Sequence, residues 1–513
     1  MTQTPSLAPS NPLIPGFHPD PSVCKVGDDY YLACSSFEYL PGIPVFHSRD
    51  LAAWSLIGHV ADREGQLDVC DTPTLGGAWA PTLRHHGGRF YCVVTDAHGR
   101  GSLIFTAEDP QGPWSNGTVM QGVSGIDPDI AWDEEGTCYI TYSGLLLHDG
   151  DAPPTHLGIQ QVRMDPRTGR ALEEPRSLWS GTGLMFPEAP HLYKIDETWY
   201  LLIAEGGTER GHAVSIARST RPEGPFEGCP ANPVLSARST DRPIQNTGHA
   251  DLVQRPDGSW LMVMLGMRPR GTTRAFSPMG RETFVTSLHW EDGWPVVAPV
   301  ELTPPGPEVR ERDDFDDECL EPRWLGVRRL PASVASLTER SGWLRLHAGE
   351  AKAGMDDLRP AFVGRRQQHE RAAFSALLDV SGGTGGISLR IDEQHHYDIE
   401  AGHGVIRARA RVGSLTQTWE QPHPGDVAVL RISTEKPPAD GLENLAADMV
   451  RLSVRSGTAG DSGEAWTTLA LLDGRYVSAE TTASFTGRSV GLYAAEGTVD
   501  ADWFAYEGHD AQR

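Results

Sequence analysis

No apolar stretch in this sequence approaches the ~18 residues that a membrane-crossing helix needs, and apolar positions nowhere recur with sustained helical period. A helical membrane protein and a helical bundle are therefore both excluded as readings. Cations are scarce as well: 44 Lys and Arg face 69 Asp and Glu, for a formal charge of −25. Nucleic acids and anionic membrane surfaces are recognised by clustered Lys and Arg, so neither is an expected partner. Cysteines number seven, an odd count without a Cys-x-x-Cys pair. Several lie in apolar runs such as Tyr91-Cys92-Val93-Val94, and they read as reduced, buried small hydrophobes rather than a disulfide framework or zinc site. The first residues, MTQTPSLAPSNP, lack both the basic and the apolar segment of a secretory signal. From these absences a cytoplasmic location is expected. P-loop, HExxH and GxSxG patterns are missing too.

Turn formers, by contrast, are plentiful. The 513 residues include 56 glycines and 39 prolines, spread between short apolar runs rather than gathered in one tract. That is the texture of a turn-rich all-β chain, and the length calls for at least two domains.

A repeat organises the first 300 residues. A polar turn, an aromatic pair and an apolar run recur as Gly-Asp-Asp-Tyr-Tyr-Leu (27–32), Gly-Gly-Arg-Phe-Tyr-Cys (87–92) and Glu-Gly-Thr-Cys-Tyr-Ile (135–140). Asp-Glu-Thr-Trp-Tyr-Leu (196–201) and Asp-Gly-Ser-Trp-Leu-Met (257–262) complete the set. Anchored on Tyr31, Tyr91, Tyr139, Tyr200 and Leu261, the spacings are 60, 48, 61 and 61. Five such units suit the four-stranded blades of a β-propeller.

Eleven or twelve residues before each anchor stands a polar or aromatic residue leading into an apolar strand: Asp20, Trp79, Asp127, Glu188 and His249. If each following run is the innermost strand of its blade, these five are equivalent and form a ring around the axis. Taken singly, each has a plain structural explanation. Asp-Pro is commonly a turn, an isolated Glu is commonly a surface group, and Trp or His commonly belongs to the core. Their shared register favours a site. Clustered carboxylates raise the pKa of one of their number. Glycoside hydrolysis needs this division: one carboxyl protonates the leaving oxygen while another acts, ionised, on water or carbon. The Trp79 face suits the apolar face of a sugar ring.

At these residues the sequence resembles glycoside hydrolase family 43, in particular its β-xylosidases and α-L-arabinofuranosidases with an appended β-sandwich. The resemblance is carried by Asn-Pro-Leu-Ile-Pro-Gly-Phe-His-Pro-Asp-Pro-Ser (11–22), Ser-Ser-Phe-Glu-Tyr (35–39), Trp-Ala-Pro (79–81) and Gly-Ile-Asp-Pro (125–128). Pro-Glu-Ala-Pro-His-Leu-Tyr-Lys (187–194) and Gly-Arg-Glu-Thr (280–283) extend it, and it continues from Asp-Asp-Phe-Asp (313–316) onward. It implies Asp20 as general base, Glu188 as general acid and Asp127 as the carboxylate that orients the acid, with inversion at the anomeric carbon. It further implies Phe37, Trp79, His249 and Arg281 as substrate-binding residues. No cofactor is implied as required, although in some relatives the histidine matching His249 approaches a bound Ca²⁺.

Beyond Thr-Pro-Pro-Gly-Pro (303–307) and the charged stretch from Arg310 to Asp317, alternating segments take over, such as Ile-Arg-Ala-Arg-Ala-Arg (406–411). Period-two alternation between frequent turns indicates an antiparallel β-sandwich. The expected fold is thus all-β: a five-bladed propeller over 1–305, then a sandwich over 312–513 that packs near the propeller mouth. Gly-Gly-Thr-Gly-Gly (382–386) reads as a turn, and Gln-His-His-Tyr-Asp (394–398) as an exposed turn rather than a metal site. The expected activity is release of xylose from the ends of xylo-oligosaccharides, with α-L-arabinofuranosidase activity as the alternative. The expected partner is a small oligosaccharide, with homo-oligomerisation left open. A binding-only propeller is the competing class, disfavoured because it has no use for an acid of raised pKa.

Overall fold

The computed structural model describes residues 9–146, 154–271, 275–349, 354–437, 448–455 and 465–510. The chain divides into two compact units. The first runs to Ile14 and takes in His18–Met267 and Glu282–Thr303; the second holds Pro15–Phe17, Arg268–Arg281 and everything from Pro304.

The first unit is a five-bladed β-propeller built from five separate antiparallel sheets. Its innermost strands are Ser22–Val26, Gly77–His86, Gly125–Trp132, Glu188–Ile195 and Gln245–Gln254. Each touches the next around the ring, and the fifth touches the first. Alternating apolar residues bury both faces of each blade, so the cores lie between blades. Val23, Leu32, Leu261 and Val263 pack blade 1 on blade 5, while Ile130, Ile140 and Val162 join Val93 and Ile104 between blades 2 and 3. The N-terminal segment helps close the circle: Ile14 bridges Thr283 on blade 5, and the Asn11 amide donates to the Val285 carbonyl at 2.8 Å. Within blade 2 the inner hairpin turns on Gly87-Gly88, both at positive φ (58° and 76°), as a type I′ turn requires.

The second unit is a β-sandwich whose two sheets share one strand, Ser489–His509. Its first half pairs with Gly383–Asp392 and Ala361–Arg366; its second half pairs with Arg371–Asp379, Leu344–His347 and Val309–Asp313. The charged stretch after the connector thus begins as an edge strand. Alternation behaves as expected in Val405–Val412, where Ile406, Ala408 and Ala410 are buried between outward arginines.

Two local expectations are corrected. Of Gly-Gly-Thr-Gly-Gly only Gly382 lies in a turn, closed by the Gly383 amide on the Val380 carbonyl at 3.1 Å, and Gly383–Gly386 open a buried strand. A Cβ on Gly383 or Gly386 would stand 1.9 Å from the carbonyl oxygens of Glu496 and Ile399, so glycine here permits close backbone approach. Nor is Gln-His-His-Tyr-Asp an exposed turn. His395–Gly402 is a strand, with His396 and Tyr397 buried. The His396 Nδ1 lies 2.8 Å from Asp398 and its Nε2 2.9 Å from Asp356, while Arg409 also binds Asp356.

That cluster makes the sandwich sensitive to pH. Burial works to lower the His396 pKa, but Asp398 and Asp356 overcome it and hold the imidazole above its ordinary range. Burial likewise opposes ionisation of Asp356, which hydrogen bonds from His396 and Arg409 nevertheless bring down to about 2. A histidine with raised folded pKa stabilises fully below its unfolded value of about 6.5, and loses that contribution as pH climbs through the folded value. A carboxylate with depressed pKa stabilises above about 4 and loses its contribution as pH falls toward 2. Amide-exchange protection of strand His395–Gly402 is therefore expected to be greatest between about pH 4 and 6.5 and to decline on the alkaline side. In His396→Gln the alkaline decline should vanish, and its persistence would refute this account.

Candidate active site

Strand pairing defines which residues of the five blades are equivalent. The residues facing the five repeat anchors are Cys24, Arg84, Ala131, Tyr193 and Val253. Four positions upstream of these stand Asp20, Ala80, Asp127, Ala189 and His249. All five have left-handed backbones, with φ between 45° and 56°. A strained conformation repeated at one position of every blade marks a built feature. In blades 2 to 5 it coincides with a break in the strand register, a bulge that re-aims the adjoining side chains.

Asp20, Asp127 and His249 therefore occupy one ring, as expected from the repeat. Trp79 and Glu188 do not: each sits one residue upstream of the equivalent position, which alanine fills. The reason is turn length. The inner hairpins of blades 1, 2 and 4 close with two residues, whereas those of blades 3 and 5 close with five. A constant count back from the anchor slips by one between the two kinds.

The ring residues are joined across blades. Asp20 is 5% exposed and accepts a hydrogen bond from the Ser35 hydroxyl at 2.5 Å. That hydroxyl accepts the Ala80 amide at 2.6 Å, so its proton is committed to the carboxylate. On the other side the His249 Nδ1 stands 3.5 Å from Asp20. Asp127, 8% exposed, accepts the Ala189 amide at 3.1 Å and so grips the backbone next to Glu188. Glu188 is half-buried at the start of its strand. Its approach loop is held by buried Glu205, which accepts the Thr182 amide at 2.7 Å and hydroxyl at 2.9 Å.

Phe37 also has a left-handed backbone and bridges Ala78, the neighbour of Trp79, through both of its main-chain groups. The Trp79 indole donates to the Leu75 carbonyl at 2.6 Å, which fixes the ring plane. Arg281 belongs to the second unit, where its Nε donates to the Phe485 carbonyl at 3.1 Å and its guanidinium lies over the Phe485 ring.

Calcium takes six to eight oxygen ligands. Among the described residues no group of three or more His, Cys, Asp or Glu could hold a metal ion. The Asp20 carboxylate beside His249 is engaged by Ser35. The residues around His249 do not fit a calcium shell.

One layer further along the strands lies a group not recognised in the sequence. Ser22, Thr82, Asp129, His191 and Asp251 stand two residues past the left-handed position of their blades. Arg84 joins four of them: its Nη1 donates to Asp251 at 2.8 Å and Ser22 at 3.0 Å, its Nη2 to Asp129 at 3.2 Å, and Nη2 lies 3.0 Å from the His191 Nδ1. Both carboxylates are fully buried. Burial opposes ionisation of Asp251, but the Arg84 cation, the nearby His191 and the hydrogen bond from the Tyr193 hydroxyl hold its carboxyl far below the usual range. The repetition in Asp127-Pro-Asp129 and His249-Ala-Asp251 was a legible signal for this layer.

Known proteins match along the whole chain. A family model described as glycosyl hydrolases family 43 covers residues 9–295, and one described as a β-xylosidase C-terminal concanavalin A-like domain covers 312–507. A non-reducing-end α-L-arabinofuranosidase of Bacteroides ovatus is 39% identical, over 97% of this chain and 94% of its own. A xylosidase/arabinosidase of Butyrivibrio fibrisolvens is also 39% identical, over 70% of this chain and 72% of its own. Among solved structures, a xylan β-1,4-xylosidase from Bacillus halodurans superposes with a TM-score of 0.85 at 28% identity, covering 98% of this chain and 100% of that one. Taken with the carboxylate ring of the propeller, these matches make the chain a glycoside hydrolase of family 43.

Proposed function

We propose that the enzyme removes single xylose units from the non-reducing ends of short xylo-oligosaccharides by one inverting displacement. Asp20 is the general base that activates water, Glu188 the general acid, and Asp127 the group that orients the acid. The observation carrying this reading is the pair of buried carboxylates on one ring, each held by its own hydrogen bond. Asp20 accepts the committed Ser35 proton, as an ionised base does, while Asp127 binds the amide adjoining Glu188 and thereby fixes the acid's backbone. A positioned acid–base pair contributes about 10²–10⁴-fold to such a reaction. Trp79, held by its indole hydrogen bond, offers a flat face to the sugar. Phe37, His249 and Arg281 are assigned to substrate binding.

α-L-Arabinofuranosidase activity, alone or alongside, is the second reading, favoured by the name of the full-length Bacteroides relative. Assay on nitrophenyl β-xyloside and α-L-arabinofuranoside separates the two, and absence of turnover on both would sink both. A cytoplasmic site of action is supported by the seven free cysteines; recovery of the activity outside the cytoplasm would count against it.

Asp20→Ala and Glu188→Ala are each expected to lower kcat by about two orders of magnitude or more. A better leaving group needs less protonation, so it should partly rescue Glu188→Ala but not Asp20→Ala; equal rescue would reverse the assignment. Proton NMR of the first-formed sugar should show the inverted anomer. We further propose that no metal is required. Exhaustive EDTA treatment should leave kcat unchanged, and a loss restored by Ca²⁺ would contradict this.

A further inference from the structure

We propose that Arg84 is a positioning residue for this hydrolysis: its guanidinium sets the mutual placement of the inner strands that carry Asp20, Asp127, Glu188 and His249. The inference rests on the functional reading above, and it begins from an oddity of energetics. Two fully buried carboxylates and a guanidinium on the axis are costly to desolvate. Apolar side chains of similar volume commonly serve stability as well or better. A propeller that needed only a filled axis has no use for this arrangement.

What the guanidinium supplies is directed contact. Its partners Ser22, Asp129 and Asp251 lie two residues along the same strands from Asp20, Asp127 and His249, and His191 lies three from Glu188. Arg84 itself comes from the remaining strand, the one that carries Trp79. One planar group thus reaches all five blades. Its partners pass the constraint on. Asp251 accepts the Ser22 hydroxyl at 2.8 Å and the Val23 amide at 2.9 Å, joining blade 5 to blade 1. Asp129 accepts the Leu192 amide at 3.0 Å, joining blade 3 to blade 4. These are the same two blade pairs joined one layer away, where His249 meets Asp20 and Asp127 meets Ala189. A shift in the lower layer is transmitted over two residues to the upper one. Acid–base catalysis is steep in such shifts, with about 1 Å of misplacement costing up to 10²-fold.

Arg84→Lys and Arg84→Met in the full chain provide the test. Lysine keeps a positive charge beside Asp129 and Asp251 but loses the fork that spans the strands. The expected result for Arg84→Lys is a thermal midpoint near that of the parent, with kcat on nitrophenyl xyloside lowered about tenfold or more and KM changed by less than about threefold. Full kcat in a folded Arg84→Lys would show that only charge is needed and would overturn the proposal. Arg84→Met should lose kcat at least as severely, and added guanidinium ion should restore part of it; a folded Arg84→Met with parental kcat also overturns the proposal. Should neither variant fold, Ser22→Ala carries the test, since it removes one acceptor of Arg84 and one donor to Asp251 while leaving the Arg84–Asp251 ion pair in place. A fall in kcat of about threefold at unchanged midpoint supports positioning, and unchanged kcat refutes it. If the parent enzyme turns over neither xyloside nor arabinofuranoside, the functional reading itself has failed, a result distinct from any of these.

Discussion

The propeller is organised around the burial of two carboxylates, Asp129 and Asp251, on its axis with a single guanidinium between them. Buried charge of this kind is tolerated only when nearly every lone pair finds a donor. Asp251 satisfies that condition with Ser22, Val23, Leu252, Tyr193 and Arg84. Those donors come from blades 1, 2, 4 and 5, so meeting the requirement of one side chain fixes the arrangement of most of the ring. Apolar packing between blades supplies the bulk of the stabilisation but is tolerant of small slips. The axial hydrogen bonds are directional and are not.

Function is layered on that constraint. Next to the axial charges each inner strand turns through a left-handed residue, and it is there that Asp20, Asp127 and His249 stand. Alanine occupies the left-handed position in the two blades that carry Trp79 and Glu188, whose side chains project from the residue before. The five blades thus offer two kinds of site, not one. Three present a polar side chain from the strained residue itself. Two present a larger side chain beside it, with the small residue leaving room.

Much of this was legible in the chain. Five repeat anchors, four tyrosines and Leu261, give the blade count, and Asp20, Asp127 and Glu188 stand out because each opens an apolar strand at a similar distance from its anchor. The Arg-Ala-Arg alternation of 406–411 announces an antiparallel sheet, and it folds as one. Other features were hidden. Gly383 and Gly386 look like turn residues because composition cannot tell flexibility from close approach, which depends on where Glu496 and Ile399 lie. His396 looks exposed because its carboxylate partner Asp356 is 40 residues away.

Sequence by itself determined the repeat and the all-β class, and it singled out Asp20, Asp127 and Glu188 as candidates, because periodicity and residue chemistry are local properties that survive without coordinates. Tertiary structure decided the register. Whether a hairpin closes with two residues or five shifts every upstream position by one, and only the strand pairing reveals which. It also decided that Arg84, an unremarked residue in Thr-Leu-Arg-His, meets partners up to 167 positions away. Convergence on an axis is a property of the closed ring, and no single blade contains it.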